Sequence, residues 1–340
     1  MKNFLVITAD DYGACRFIDA GIDDAIEAGQ ITAVAALSNG QTEDWDRVVT
    51  MHEKYKDKID VGCHLNITNG RPLLAWPKHN TRKYKGERLF KWILKLDFDK
   101  IDLGLLRDEL EEQVERFEDA NIPIKHFSDH FGVLSVLEQR VSAVMIDVVR
   151  DYNERHEVNV PFRNPFLSSV YADNLSCMNN SKLKRKARLA NFIRKAGLKD
   201  DDNGRQLFYK NLSRRAKQLR RSGLKTTDFF IDQFYGVDES TKAGTIQCLM
   251  DHQLLNTKSK PPSTMAENPV FEMVVHLGKN PEELNASSDE MKFFKKYWKF
   301  NSKGLNEERP NELNILKDFH TRNRQDSIYQ LTKFSDLSGS

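Results

Sequence analysis

The segment that decides the fold of this chain reads Phe4-Leu5-Val6-Ile7-Thr8-Ala9-Asp10-Asp11-Tyr12-Gly13. Its apolar first half predicts a buried strand, and the two acids then fall at the carboxyl end of that strand. Neighbouring strand residues point to opposite faces, so the two acids can face the same way only if the strand turns there, which Gly13 permits. Two interpretations follow: carboxylates that divide metal binding and proton transfer between them, or an ordinary helix N-cap formed by Asp10 or Asp11.

The composition indicates an ordinary soluble protein. The chain has 340 residues, of which 39% are hydrophobic and 30% charged, enough for one large α/β domain or two smaller ones. No apolar run approaches the roughly 20 residues that span a membrane, and the first one is too short for a signal peptide, so we expect a cytoplasmic protein. The four cysteines are far apart, show no metal-binding spacing and are expected to be reduced: Cys15, Cys63, Cys177 and Cys248.

Positive charge is concentrated between residues 181 and 225. That segment holds 16 Lys and Arg against three acids, and the other 36 basic and 47 acidic residues leave the rest of the chain at −11. Residues 182–188 and 214–221 carry apolar side chains at helical intervals, which predicts basic amphipathic helices. We favour a solvated helical face over contact with nucleic acid or an anionic membrane. We predict a single domain over residues 1–340, with a basic helical excursion at about 176–225.

Apolar runs typical of strands alternate with helical patterns along most of the chain. Such alternation implies parallel βα units. Eight strands over this length, without a GxGxxG fingerprint, favour an α/β fold of the (β/α) barrel type, TIM-barrel-like and either complete or distorted, over an open doubly wound sheet. The expected strands are Phe4 to Ala9, Ala33 to Ser38, Ile59 to Ile67, Ile124 to Phe131, Val158 to Arg163, Thr227 to Tyr235, Val270 to Gly278 and Ile328 to Phe334.

Four of these strands carry a His or an Arg at or near the end that faces the active site of such a barrel. These residues are His64, His126 with His130, Arg163, and His276. A single histidine on an apolar strand is more often a hydrogen-bonded core residue than a ligand, but four such strands beside the paired acids indicate a functional site. One carboxylate and two imidazoles can hold zinc or another transition metal and leave positions open for water and substrate.

Two motifs carry a resemblance to a known family. Residues 9–13 match an ADDxG motif that is followed by Gly21-Ile22, and residues 61–73 are similar to the long motif GxHLxLTxGxPL. Further matching segments are Gly29 to Thr32, Pro161 to Arg163, Ser222 to Phe230, Glu272 to Gly278 and Arg309 to Leu316. Over most of its length the chain resembles the YdjC-like carbohydrate deacetylase family, which includes chito-oligosaccharide deacetylases.

The resemblance implies a metal-dependent hydrolase that removes the acetyl group from an N-acetylated sugar. By that resemblance Asp11, His64 and His130 would bind a divalent metal, zinc or magnesium being the first candidates. The metal would lower the pKa of the attacking water, polarise the acetamide carbonyl and stabilise the oxyanion.

The resemblance also implies roles for the residues around the metal. Asp10 would be the base that deprotonates the attacking water. His276 is the candidate acid for the departing amine. Arg163 would form an ion pair with Asp10 that orients this carboxylate and keeps it ionised.

The chain departs from the family pattern at a few positions. The histidine-rich run after the fourth strand keeps His126 and His130 but lacks the later histidines, and Ser128 stands where the family has Asp. Leu277 replaces a common Pro, and Asp19 a common Asn. Such changes predict altered substrate choice, a weaker metal site or loss of activity.

Two alternatives to the deacetylase interpretation stay open. One is a non-catalytic glycan-binding protein on the same scaffold, because fold does not fix function. The other is a different metal-dependent amide, ester or phosphoester hydrolase. We expect a small-molecule carbohydrate as partner and no nucleic acid. A homodimer, the particular sugar and the metal are left open by the sequence.

Overall fold

A parallel sheet organised around the first strand forms the framework of the molecule. The computed structural model describes residues 3–91, 100–132, 139–164, 190, 193–194, 198–231, 269–298, 304–323 and 329–337. The strands are β1 (Asn3–Tyr12), β2 (Ala33–Ala36), β3 (Asp60–Leu65), β4 (Thr81–Tyr84), β5 (Glu87–Phe90), β6 (Phe127–Asp129), β7 (Phe229–Ile231), β8 (Val270–Val275) and β9 (Tyr329–Leu331). The α-helices are α1 (Arg16–Glu27), α2 (Thr42–Tyr55), α3 (Leu103–Asp119), α4 (Gln139–Arg155), α5 (Asp202–Arg221), α6 (Ser288–Tyr297) and α7 (Arg309–Asn323).

On one side of β1 the strands β2, β3 and β6 follow one another in chain order, and on its other side β8 lies between β1 and β7. The main sheet runs β6-β3-β2-β1-β8-β7, and the paired strands within it are parallel. β2 pairs with the second half of β1, whereas β9 pairs with its first three residues. Because the helices α1 and α2 connect consecutive parallel neighbours, this part of the sheet consists of βα units.

The two edges of this sheet are connected through Phe162. Phe162 forms a parallel bridge with Phe127 of β6, and its backbone N–H donates to the carbonyl of Lys225, shortly before β7, at 2.9 Å. The sheet is therefore curled into a barrel. Where a fifth strand was expected, the described residues form the isolated bridge at Phe162 instead of a regular strand. The predicted TIM-barrel-like α/β fold is confirmed in a distorted form.

Several expected strands are shorter than predicted. The strand predicted from Ile124 to Phe131 covers Phe127–Asp129, because His130 already begins a 3₁₀ turn. The strand predicted from Val158 to Arg163 is reduced to the bridge at Phe162. Of the strand predicted from Thr227 to Tyr235, residues 229–231 are confirmed and residues 232–235 lie outside the described part of the chain. The sequence did not predict the antiparallel hairpin of β4 and β5.

The helical predictions can be compared in the same way. Apolar side chains at helical intervals, such as Ile18, Ile22 and Ile26, fall on α1, and similar patterns fall on α3 and α4, while residues 214–221 of the basic segment lie in α5. The predicted helix at 182–188 lies outside the described residues, as does most of the expected excursion before residue 198. Among the described residues, no helix is long and apolar enough to span a membrane.

Alternate residues of β1 face opposite sides of the sheet, as the twofold period of a strand requires. Leu5, Ile7 and Ala9 join the large apolar core beneath the helices. Val6 instead packs with Phe334 on the other side, inside the barrel. By the same alternation Thr8 and Asp10 face the interior, so the barrel changes from apolar at its base to acidic at the carboxyl ends of its strands.

The described cysteines play no part in this interior. Cys15 and Cys63 are buried free thiols. Burial and, to a lesser extent, the neighbouring Asp19 carboxylate raise the pKa of Cys15 to about 12. The prediction of reduced thiols is confirmed for these two, whereas Cys177 and Cys248 lie outside the described residues.

Candidate active site

The two adjacent acids at the end of β1 face the same region because the strand is irregular there. The register of β1 against β2 shifts between Asp10 and Tyr12, and Asp11 has a left-handed backbone conformation with φ of 76°. A bulge of this kind re-aims a side chain that would otherwise point away. The alternative of an N-cap is wrong, since Cys15 precedes α1.

Asp11 lies beside two imidazoles from different strands. Its Oδ1 is 2.9 Å from Nδ1 of His130, which follows β6, and 3.5 Å from Nε2 of His64, near the end of β3. All three side chains are buried, with 2% of each residue exposed. The structure therefore brings together the three residues that the sequence predicted as metal ligands, within 4.8 Å of one another.

The donor atoms of this Asp-His-His cluster suit a transition-metal ion. Two ligand atoms about 2.1 Å from one ion are separated by about 3.0 Å at a right angle and about 3.4 Å at a tetrahedral angle. The two observed separations from Asp11 Oδ1 fall close to these values. A carboxylate oxygen only accepts hydrogen bonds, so without a cation the imidazole nitrogens that face it must each carry a proton. A cation held by Asp11, His64 and His130 would take the place of those protons.

The charges around Asp11 favour an ionised carboxylate and a neutral ring. Burial alone would raise the pKa of Asp11, but His130 and then Arg309 lower it well below its ordinary value. Burial lowers the pKa of His130, although Asp11 opposes that shift. An ionised carboxylate and a neutral imidazole are the protonation states in which these groups bind metals.

Asp10 is held by Arg163 in a geometry that uses both carboxylate oxygens. Nη1 of Arg163 donates to Oδ2 at 2.7 Å and Nη2 donates to Oδ1 at 2.8 Å, and its Nε donates to Glu272 at 2.8 Å. Burial would raise the pKa of Asp10, but the charge of Arg163, followed by that of His64, lowers it. Such a bidentate ion pair fixes the orientation of a carboxylate and keeps it ionised.

Glu272 supports the same guanidinium from inside the barrel. Its Oε1 accepts from Arg163 and also from Thr8 Oγ1, at 3.1 Å. Burial raises the pKa of Glu272, and Arg163 opposes that shift. One buried arginine thus bridges two buried carboxylates on neighbouring strands, which places Asp10 firmly at the rim of the cluster.

His276 follows β8 and is more exposed than the residues of the Asp-His-His cluster. Its backbone N–H donates to the Glu312 carboxylate, which fixes the chain at this point. Burial lowers the pKa of His276 to about 4, and the charges of Asp11 and Asp10 oppose the shift only in part. The imidazole is therefore neutral near pH 7.

Sequence reasoning missed two residues that contact the predicted ligands directly. Arg309, at the start of α7, donates to Oδ2 of Asp11 at 2.5 Å and so leaves Oδ1 to face the imidazoles. Ser128 Oγ lies 2.6 Å from Nδ1 of His64, which leaves Nε2 of that ring directed at the acids. The signal available for Arg309 was its place in a segment that matched the family, which did not reveal its contact with Asp11.

Aromatic residues border the cluster on the side of His130. Phe131 lies 4.3 Å from the His130 ring and Trp298 lies edge-on to it at 6.3 Å, measured between ring centroids. Trp298 is fully buried and Phe131 partly exposed. Trp45 and Trp76 belong to the apolar core.

The fold and the site together define a distorted (β/α) barrel with a buried Asp-His-His cluster at the carboxyl ends of its strands. The family model described as YdjC-like protein matches residues 4–326. The chain belongs to this YdjC-like family, and the resemblance stated from its motifs is confirmed.

Named relatives and one solved structure agree with this assignment. The chain is 30% identical over 191 residues to a chitooligosaccharide deacetylase of Yersinia pestis (strain Pestoides F), covering 52% of this chain and 72% of the relative. The same figures hold for the chitooligosaccharide deacetylase of Yersinia pseudotuberculosis serotype O:1b (strain IP 31758). A crystal structure of a protein from Enterococcus faecalis V583, provisionally described as a cellobiose-phosphate cleavage protein, aligns with a TM-score of 0.59 at 18% identity, covering 99% of this chain and 100% of that one. At this identity the last likeness concerns the fold alone.

Proposed function

We propose that the protein is a metal-dependent hydrolase that removes the acetyl group from an N-acetylated sugar, a chito-oligosaccharide or a related glycan. The observation that carries this proposal is the convergence of His64 and His130 on one oxygen of Asp11, next to an Asp10 held by Arg163. The naming of curated relatives as chitooligosaccharide deacetylases supports the choice of substrate class.

The donor set favours zinc over magnesium as the metal. Two imidazole nitrogens and one carboxylate oxygen suit zinc and similar transition metals, whereas magnesium prefers oxygen ligands and retained waters. An ion held by Asp11, His64 and His130 would polarise the acetamide carbonyl and lower the pKa of the attacking water.

The neighbouring side chains then handle the protons. Asp10 is ionised near neutral pH because Arg163 lowers its pKa, so it can accept the proton of the attacking water. Each of its oxygens keeps a second lone pair for that purpose, although both accept from Arg163. Oδ2 lies 3.7 Å from Nε2 of His64 and so borders the cluster.

His276 is our candidate for protonating the departing amine. With its pKa lowered to about 4, its ring must take up a proton before it can give one. The proton count balances when the proton that Asp10 takes from the attacking water passes on to His276, which then gives it to the departing amine, so that Asp10 ends ionised and His276 ends neutral. The partial exposure of His276 supports this role, since a substrate has to reach the group that protonates its amine.

The remaining expectations extend this proposal. The substrate is a small-molecule carbohydrate, a single domain spans the chain, and neither nucleic acid nor a membrane is needed for activity. Whether the protein acts as a homodimer in the cytoplasm stays a prediction for measurement.

Acetate release from N-acetylated chito-oligosaccharides tests the proposed function. The purified protein is treated with a chelator, assayed, and assayed again after zinc, nickel, cobalt or magnesium is added. Asp10→Asn is compared with Asp24→Asn, which changes an α1 carboxylate whose partner is Lys279. We expect metal to restore release, Asp24→Asn to behave as wild type, and Asp10→Asn to lose a factor of about 10²–10⁴ while still binding metal.

Other results would point to the alternatives. Metal binding without acetate release from any N-acetylated oligosaccharide would favour a different amide, ester or phosphoester as substrate. A wild-type protein that binds no divalent metal yet retains glycan would favour the non-catalytic binding protein.

A further inference from the structure

The turn that carries Asp11 has an unusual backbone conformation. Asp11 and Gly13 both have positive φ angles, of 76° and 83°. Glycine adopts such angles freely, whereas for an aspartate they are accessible but uncommon. This conformation directs the Asp11 carboxylate at His64 and His130. Contacts with the surrounding structure must therefore stabilise this backbone conformation.

Asp19 makes a buried hydrogen bond to this turn. The backbone N–H of Gly13 donates to Oδ1 of Asp19, in the first turn of α1, at 2.8 Å. Asp19 itself is 2% exposed, so water does not compete for this bond. Within the turn, the N–H of Ala14 donates to the carbonyl of Asp11 at 3.1 Å. The side chain of Asp19 is thus tied to the backbone two residues after the proposed ligand.

The start of α2 closes over the same turn. A β-carbon added to Gly13 would lie 2.8 Å from the Val48 side chain and 2.9 Å from the carbonyl oxygen of Leu37. A β-carbon added to Gly40 would lie 2.6 Å from the carbonyl oxygen of Gly13. The backbone of Gly13 is therefore closely packed against Val48, Leu37 and Gly40. The hydrogen bond to Asp19 fixes it further.

Asp19 is in turn fixed by Arg47 of α2. Nε of Arg47 donates to the second oxygen of Asp19, Oδ2, at 2.6 Å, and the same guanidinium contacts Asp44. Asp44 also accepts from the backbone N–H of Gln41 at 3.0 Å, which caps α2. One oxygen of Asp19 is thus assigned to the backbone of Gly13 and the other to Arg47.

We propose that Asp19 is a positioning residue, which holds the Asp11 turn in its left-handed conformation and so presents Asp11 Oδ1 to the metal. This inference rests on the proposed function. Asp19 contacts neither Asp11 nor a substrate directly and acts through Gly13. What the turn requires is an acceptor oxygen at this position, and the charge of Asp19 serves only its pairing with Arg47.

This division of labour can be tested by variants that separate the acceptor from the charge. Asp19→Asn keeps an oxygen that can accept from Gly13, and Arg47→Met leaves Asp19 in place. Asp19→Ala removes the acceptor. Asp24→Ala, on the same helix, is the matched control, since Asp24 pairs with Lys279 away from the turn.

The readout is the affinity for zinc by calorimetric titration of the metal-free protein, with the melting temperature recorded for each variant. We expect the zinc Kd of Asp19→Ala to rise about 10- to 100-fold, and that of Asp19→Asn, Arg47→Met and Asp24→Ala to stay within about threefold of wild type. A lower melting temperature in Asp19→Asn or Arg47→Met with unchanged zinc affinity supports the inference.

Contrary results overturn it. The first is an unchanged zinc Kd in Asp19→Ala. The second is a zinc Kd that rises as the melting temperature falls in Asp19→Asn and Arg47→Met. The second result decides against the inference even if Asp19→Ala fails to fold. Failure of the proposed function gives different results. Either the wild-type protein binds no zinc, or the zinc affinities of the variants differ as predicted but the wild-type protein releases no acetate.

Discussion

The two halves of the barrel interior differ in what they bury. Toward the amino ends of the strands, Phe334 packs with Val6 and Ala33 and stacks on the ring of His126 at 4.6 Å. Toward the carboxyl ends, the interior holds Asp10 with Arg163 and the Asp-His-His cluster. We refer to these as the lower and upper halves of the interior.

The difference shows where the molecule gains stability and where it gives some up. Removal of apolar side chains from water in the lower half stabilises the fold by roughly 25 cal/mol per Å². Buried charges in the upper half lose hydration that their mutual attraction only partly restores. The buried charges of the upper half therefore serve the proposed reaction at a cost in stability, whereas the apolar packing of the lower half holds the strands in place.

The largest expected effect comes from Asp11→Asn in the upper half. An amide in place of the carboxylate weakens the metal site and removes the ion pair between Asp11 and Arg309. We expect zinc affinity to fall by at least about 100-fold, with acetate release lost in parallel. Calorimetric titration measures the affinity, and Asp24→Asn is the control. Wild-type affinity in Asp11→Asn would remove this residue from the metal site.

The converse change is Phe334→Ala in the lower half. Truncation of this buried ring should cost about 3–5 kcal/mol of unfolding free energy, because it leaves a cavity beneath His126. Denaturant unfolding measures the loss, and Val158→Ala, at an exposed position, should cost little. Zinc affinity of the folded protein should be unchanged. A Phe334→Ala protein that is as stable as wild type would contradict the division between the two halves.

A smaller effect is expected from Ser128→Ala, which removes the partner of His64 Nδ1. Partners of this kind orient a metal-binding imidazole, and their loss typically weakens binding about 10-fold or more. Ser142→Ala, a buried serine on α4, is the matched control for loss of a hydroxyl. The same zinc titration decides: equal affinities for both variants would mean that Ser128 does not orient His64.

The last effect is absent near pH 7 and concerns acid stability at the boundary between the halves. Burial, followed by the charge of Arg163, lowers the pKa of His126 to about 3. Its neutral form is favoured in the folded state, so stability is lost as the pH falls from the unfolded value near 6.5 toward 3. Over that range the loss from this group is at most about 1.4 kcal/mol per pH unit.

In His126→Leu the free energy of unfolding should therefore fall less between pH 7 and pH 4 than it does in wild type. The measurement is denaturant unfolding between pH 7 and pH 4, with His79→Leu, at an exposed position, as the control. An acid limb in His126→Leu as steep as that of wild type would show that His126 does not titrate in this way.

Much of the fold could be predicted from the sequence because apolar periodicity and strand-end chemistry are local signals. The run from Phe4 to Asp11 predicted both a buried strand and an irregularity at its end, and both are present. Gly62 shows the limit of such reasoning. A β-carbon there would lie 2.3 Å from the ring of His126, a constraint that depends on two strands meeting and leaves no mark on either strand alone.

The candidate site was predictable to a similar extent. Asp11, His64 and His130 lie together because the carboxyl ends of parallel strands meet at one end of a barrel. Arg309 could not be placed, because it comes from the start of a helix far along the chain rather than from a strand end. The fifth strand was overestimated, because the backbone N–H and carbonyl of Val160 are bonded to the side chain of Asn153 and strand pairing is limited to the bridge at Phe162.

The most direct test of the central claim is acetate release measured while zinc is titrated into the metal-free protein. If the Asp-His-His cluster is the catalytic metal site, the rate should rise in proportion to added zinc and level off at about one equivalent, and Asp10→Asn should bind the same equivalent and release almost no acetate. Release that is independent of zinc, or that persists in Asp10→Asn, would contradict the account.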